Sequence, residues 1–251
     1  MRSQLSVIMY HYVRNSKISG FTNLKYLELS SFKKQLNLLE KKYNIISYQD
    51  ILNYVKNNKK IPNNSCLLTF DDGYKDHYKY VFPELKKRNL KAIFFPVVST
   101  ILDNKVMSPN KIQFILCNAP NVSLIIKDIK NMFKKYDLQK KTKKKFNFYW
   151  KKFSVKRRYD SKKVSFIKNF LQKGLDNKFL LIMLNNLFSK YVSKNEKKFA
   201  KNLYLNKNQI VKMIKNGMYF GVHGYNHIWM ENYPKKIQEE EINRSLKFLK
   251  Q

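Results

Sequence analysis

The chain is short of acids, of cysteine and of long apolar runs, and it carries only 6 glycines in 251 residues. Two cysteines, Cys66 and Cys117, exclude a disulfide framework. Cys66 lies in an apolar run and reads as a small core residue. No stretch approaches the roughly 18 apolar residues of a membrane-spanning helix. No secretory signal is visible, because the run from Leu5 to Val13 is interrupted by Tyr10 and His11 and reads as a first strand. No motif recurs at a fixed period, which excludes a repeat array. The scarcity of acids leaves 17 Asp and Glu against 51 Lys and Arg, a formal net charge of +34.

What is present supports a folded protein. Hydrophobic residues make up 43% and aromatics 15%, enough to build a core. The length suits one large domain or one domain with an insertion. Lys, Asn, Ile, Tyr and Phe are abundant together, as an A+T-rich coding sequence produces, so much of the charge reads as background on solvated faces. The rest implies attraction to anionic partners: membrane surfaces, acidic glycans or nucleic acid.

Residues 1–100 alternate strand and helix. Val7 to Tyr10, Ser65 to Phe70 and Ala92 to Phe95 read as strands. A helix carrying Phe32, Leu36, Leu39 and Tyr43 follows a cap at Ser30-Ser31, and Ile51, Leu52 and Val55 mark another. Such alternation predicts a parallel sheet covered by helices. Residues 101–204 differ: 26 Lys and Arg stand against 6 Asp and Glu, glycine nearly vanishes, and apolar positions recur at three and four. This is the pattern of a basic helical insertion. The run Lys140 to Lys145 reads as an exposed turn or a solvated helix end. From 205 to 251 the alternation resumes. Asn206 or Asn208 caps a helix ending at Gly217. Met218 to Val222 reads as a strand, and Pro234 opens a last helix with Ile237, Ile242, Leu246 and Leu249 on one face.

Two short motifs sit directly after strand-like runs: Thr69-Phe70-Asp71-Asp72-Gly73-Tyr74, and His223-Gly224-Tyr225-Asn226-His227. Adjacent strand residues point to opposite faces, so Asp71 and Asp72 share a pocket only if the chain turns, which Gly73 permits. Two close carboxylates ionise together only beside a cation; one then binds it and the other serves as a base. Taken alone, Asp-Asp-Gly is also an ordinary surface turn. A spacing of four places His223 and His227 on one face if the segment is helical. Two imidazoles and a carboxylate suit zinc, cobalt, nickel or iron without choosing among them. His11 ends the first strand and is either near the same pocket or a hydrogen-bonded packing residue. His77 reads as exposed, and Trp150 and Trp229 read as packing residues of the core or insertion, with stacking on sugar rings as the alternative.

At these residues the chain resembles the polysaccharide deacetylases with a NodB homology domain, carbohydrate esterase family 4. Thr69 to Tyr74 and His223 to His227 match that family's two metal motifs. Met9-Tyr10-His11, Ala92 to Phe95, and Glu241-Ile242 followed by Ser245 are also similar. The resemblance spans about residues 5–100 and 205–251 and leaves out the basic middle. It implies an α/β fold: an incomplete distorted (β/α) barrel of the NodB type with a basic helical insertion. It implies removal of acetyl groups, mainly N-acetyl, from a polysaccharide or glycan precursor. Asp71 would be the general base, Asp72, His223 and His227 would hold one divalent metal, expected to be zinc, and His11, Gly73 and Tyr74 would line the pocket. The family's later groove and general-acid motifs are not found before Gln251, so a member truncated at its C-terminus is expected.

Two further readings stand beside the enzyme: a catalytically impaired glycan-binding remnant, and a charge-driven binder of anionic membrane or nucleic acid. Phe146, Phe148, Tyr149 and Trp150, interleaved with lysines, suit the last, but it leaves the Asp and His motifs unexplained, and no specific nucleic acid is expected. An iron oxygenase site is disfavoured by the strand–helix alternation. A cytoplasmic location, peripheral at the inner membrane surface, is expected.

Overall fold

Short β-branched and aromatic runs form the strands, and the intervening three–four periodic segments form the helices. The computed structural model describes residues 4–15 and 24–250. In chain order come β1 (Leu5–Tyr10), β2 (Val13–Arg14), β3 (Leu27–Glu28), α1 (Leu29–Lys42), β4 (Asn44–Ile45) and α2 (Tyr48–Lys56). They are followed by β5 (Ser65–Asp72), a π-helical turn (His77–Val81), α3 (Phe82–Lys87), β6 (Ile93–Pro96) and α4 (Val98–Leu102). A helical stretch holds α5 (Ser108–Asn118), α6 (Val122–Lys135), α7 (Leu138–Thr142), α8 (Phe146–Phe153), α9 (Lys162–Lys173) and α10 (Asn177–Tyr191). Then come α11 (Glu196–Leu203), α12 (Lys207–Lys215), β7 (Tyr219–Phe220) and α13 (Lys235–Leu249). Among the described residues, 4–15, 25–105 and 197–250 make one compact unit, and Leu24 with 106–196 makes a second.

The first unit is an α/β fold on a parallel sheet ordered β1-β5-β6-β7, with β4 pairing the start of β5. The order is open: among the described residues β1 and β7 do not pair. Tyr10, Phe70, Phe94 and Phe220 are successive register partners across the four strands. Their rings stack at 5.1, 4.9 and 5.4 Å. Each such pair adds about 0.5–1.5 kcal/mol beyond the area it buries. Because strand side chains alternate, the residue after Phe70 is turned away from this aromatic row. That residue is Asp71.

Helix ends follow local chemistry. Ser47 and Asp50 form a capping box on α2, and Asn206 and Gln209 form one on α12. Gly217 takes the left-handed position after α12, with φ +81°. The cap read at Ser30-Ser31 is displaced: α1 starts at Leu29 straight out of β3, so both serines lie in its first turn. β7 pairs over two residues only, shorter than the run Met218 to Val222 suggests. The supposed apolar face of α13 is also reversed. Ile242 and Leu246 are about half exposed, whereas Glu241 and Ser245 are buried. A hydrogen-bonding task described below takes precedence over the apolar stripe.

In the second unit α9 packs against α5, α6, α8 and α10. Phe166, Ile167, Phe170 and Leu171 supply its buried face. Phe146 meets Phe133 and Phe166 edge-on at 5.6 and 5.5 Å. Buried Lys111 is neutralised by Glu196 at 2.7 Å and also donates to Asn185 at 2.7 Å. No described helix is long and apolar enough to cross a membrane.

Candidate metal centre

The carboxyl end of β5 delivers the two aspartates. Asp71 and Asp72 are partnered with Phe95 and Pro96 of β6 and are both buried. Asp72 itself adopts φ +71° and Gly73 φ +69°. The turn that lets neighbouring carboxylates share a region therefore begins one residue before the glycine. Glycine is needed next to it for space as well as for φ. A Cβ at position 73 would lie 2.5 Å from Pro96 Cβ and 2.9 Å from its Cα.

The histidine motif lies in the irregular loop after β7, and His227 has φ +57°. It is not helical, so the shared-face argument from a spacing of four does not hold. The left-handed residues Gly224 and His227 fold the loop back instead. The ring centroids of His223 and His227 are 4.8 Å apart. Asp72, His223 and His227 each offer one donor atom, and these atoms all lie within 4.8 Å of one another. His223 Nε2 is 4.0 Å from Asp72 Oδ1.

The residues fit a divalent cation. Ligand bonds of about 2.0–2.1 Å in a tetrahedral site separate donors by about 3.4 Å, so this set is slightly open and needs only small closure. His227 Nδ1 is buried and has no partner outside its own residue among the described ones. An orphaned nitrogen of this kind in a two-imidazole, one-carboxylate cluster suits zinc, cobalt, nickel or iron alike. Burial pushes the His227 ring below the usual histidine range, and nearby His223 acts in the same direction while Asp72 opposes it. The ring is thereby kept in the neutral form that binds metals. Burial pushes the Asp71 carboxyl above the ordinary range; His223 and His11 counteract this, and Asp72 reinforces it.

Each motif is braced from behind. Tyr74, 1% exposed, donates from its hydroxyl to Asp72 Oδ2 at 2.6 Å. Its ring stacks on Tyr12 at 3.9 Å and on Tyr204 at 5.9 Å. Buried Glu241 of α13 holds the histidine loop: its Oε2 accepts from the Tyr225 N–H at 3.1 Å and the Asn226 N–H at 2.8 Å, and its Oε1 accepts from Asn226 Nδ2 at 2.5 Å. The loop in turn satisfies the open N-terminus of α4, whose Val98 and Ser99 N–H groups donate to the carbonyls of Gly224 and Tyr225. His223 N–H donates to Pro96 O at 3.0 Å and so fixes the loop to β6.

The other sequence candidates divide. The His11 side chain is exposed, yet close enough to draw down the proton affinity of Asp71. His77, read as exposed, is fully buried, with Nε2 2.7 Å from the His11 carbonyl and its ring against Phe70, Tyr74 and Phe94. The π-helical turn that begins at His77 carries it inward. Trp150 packs on Phe166 at 4.9 Å, but Trp229 is 60% exposed rather than packed. The sequence reading gave no role to Glu241 or Tyr12. The pair Glu241 and Ser245, one helical turn apart, is the signal that could have exposed the first: a polar row on the helix side that faces inward.

A sequence model described as polysaccharide deacetylase matches residues 58–140 and 180–251. YxkH of Bacillus subtilis, named as a candidate polysaccharide deacetylase, is 30% identical over 106 residues, which cover 39% of this chain and 34% of that protein's length. Among solved structures, the Streptococcus pyogenes deacetylase PplD, in complex with acetate, matches with a TM-score of 0.50. That match covers 99% of this chain and 69% of PplD at 16% identity, a likeness of fold. A de-N-acetylase from Aggregatibacter actinomycetemcomitans is 30% identical over 41% of this chain and 40% of its own, with a TM-score of 0.33.

Proposed function

The chain belongs to the polysaccharide deacetylase family, and on that premise we propose that it is a metal-dependent hydrolase removing acetyl groups, mainly N-acetyl, from a polysaccharide or glycan precursor. The observation that carries this reading is the meeting of Asp72, His223 and His227 within 4.8 Å, next in sequence to a second buried carboxylate, Asp71. A divalent ion bound there, zinc in our reading, supplies Lewis-acid polarisation of the acetyl carbonyl and makes water easier to deprotonate. Asp72, His223 and His227 hold that ion, and Tyr74 and Glu241 fix the ligands' orientation. Asp71 accepts the proton from the attacking water. A divalent cation beside it would favour the ionised carboxylate that a base requires. Hydrolysis of an N-acetyl group yields acetate and a sugar amine.

Zinc titration and acetate release from chitooligosaccharides test this. The protein is expected to bind one equivalent of zinc, and His223→Ala to bind it far more weakly. Asp71→Asn is expected to keep its zinc while acetate release falls by about 10²–10⁴-fold. Equal zinc affinity in the protein and His223→Ala would overturn the metal centre. Zinc-loaded protein that holds the glycan and releases no acetate would support a binding protein instead.

A further inference from the structure

The second unit contains a cleft of about 630 Å³ where α6, α7 and the turn into α8 meet. Lys134, Lys140, Lys143 and Lys145 line it, together with Asp137 and Gln139. We propose that this cleft binds a ligand carrying clustered phosphate groups, at a site separate from the metal centre and independent of the deacetylase reading.

A lysine-rich surface is ordinarily a solvated face, on which the charges spread apart. Here they converge. Asp137 and Lys143, just before and after the five-residue α7, both take left-handed backbone, with φ +48° and +54°. These two bends turn the chain so that lysines from before, within and after α7 line the same hollow. The run Lys140–Lys145 is sorted as well. Lys141 lies over the Phe179 ring at 4.9 Å and Lys144 over the Phe148 ring at 4.9 Å, whereas Lys140, Lys143 and Lys145 line the cleft.

The cleft is also short of counter-charge. Residues 106–196 hold five acids. Asp128 pairs with Lys190, Asp160 with Lys168 and Glu196 with Lys111. Asp176 caps α10. Only Asp137 is left beside the four ammonium groups, and among the described residues no carboxylate lies within 4 Å of any of the four. Four like charges on residues lining one hollow give it a positive potential that attracts an anion. The cations are all lysine. Point charges on flexible stems suit tetrahedral phosphate oxygens in several orientations, whereas planar carboxylates favour the arginine fork. The volume falls in the range of small-molecule sites.

The test uses the full chain at physiological salt, with calorimetric titration of inorganic pyrophosphate and sedimentation with phosphatidylcholine vesicles with or without phosphatidic acid. Two variants are compared. One removes three cleft charges, Lys140→Ala/Lys143→Ala/Lys145→Ala. The other removes three exposed charges outside the cleft, Lys151→Ala/Lys152→Ala/Lys156→Ala. Saturable single-site binding that weakens about tenfold or more in the first variant and little in the second is expected. Response to pyrophosphate identifies a soluble phosphate ligand, and response to phosphatidic acid alone identifies a lipid headgroup. Binding of neither probe overturns the proposal, as does an equal loss in both variants, which would reduce the effect to net charge.

Discussion

One hydroxyl joins the aromatic core to the candidate metal centre. Tyr74 is buried, and burial pushes its phenol well above the ordinary range, so it stays protonated and donates to Asp72 Oδ2. That bond leaves Asp72 Oδ1 on the side of His223. Tyr74→Phe keeps the stacking on Tyr12 and Tyr204 and deletes the hydroxyl, which donates to Asp72 and also hydrogen-bonds the Tyr12 side chain. Partners that orient metal ligands are worth about 10–100-fold in metal affinity. Zinc affinity measured against a chelating dye is expected to fall within that range, and the metal-free protein to lose about 1–3 kcal/mol for the buried partners left unsatisfied. An unchanged zinc affinity would reduce Tyr74 to a packing residue. Gly73→Ala tests the opposite quality. The left-handed φ alone costs a non-glycine residue about 1–2 kcal/mol, and the contact with Pro96 adds to it. Urea denaturation is therefore expected to show a loss of about 2 kcal/mol or more, and a loss under about half a kcal/mol would mean that the turn relaxes freely.

The histidine loop owes its shape to an element that follows it by several residues. α13 exposes Ile242 and Leu246 to solvent and buries Glu241. The reason is that the loop's N–H groups need an acceptor where sheet pairing stops. Glu241→Gln keeps the size but places an amide donor against donors. An unsatisfied buried donor costs about 1–3 kcal/mol. The variant is expected to lose stability in that range and to bind zinc more weakly, whereas Ile242→Ser on the exposed face should change neither. Zinc affinity equal to that of the parent protein would show that the loop holds its form without α13. The same elements show what the sequence could and could not disclose. The strands were legible because Ser65 to Phe70 and Ala92 to Phe95 are compact apolar runs, and the candidate site residues because each motif follows such a run. The loop geometry was not legible. A spacing of four suggested a helix, and only the left-handed Gly224 and His227 show how a loop reaches the same outcome. Glu241 was singled out only by the family resemblance, and its role was not legible because two of its three partners are backbone N–H groups, which leave no side-chain signature in the chain.

Within the first unit, residues distant in sequence are held together by one buried imidazole. His77 sits against Phe70 of β5, Phe94 of β6 and Tyr74, and its Nε2 donates to the carbonyl of His11 at the end of β1. A ring that donates from Nε2 and has no partner at Nδ1 is a neutral imidazole. Burial, the dominant cause, pushes its proton affinity down to about 4, and the bond to His11 only partly offsets this. A histidine in the unfolded chain titrates near 6.5. The unfolded state therefore binds this proton more readily than the folded one. The contribution of His77 to stability is present above about pH 6.5 and is lost as pH falls toward 4. The difference of about 2.5 pH units corresponds to about 3 kcal/mol, most of it already lost by pH 4.5. His77→Gln retains an amide donor for His11 and does not titrate. Urea denaturation at pH 7 and pH 4.5 is expected to show the parent protein losing about 2–3 kcal/mol more than the variant across that interval. Parallel losses in the two would mean that the buried ring finds a counter-charge on protonation and that the acid sensitivity of the fold lies elsewhere.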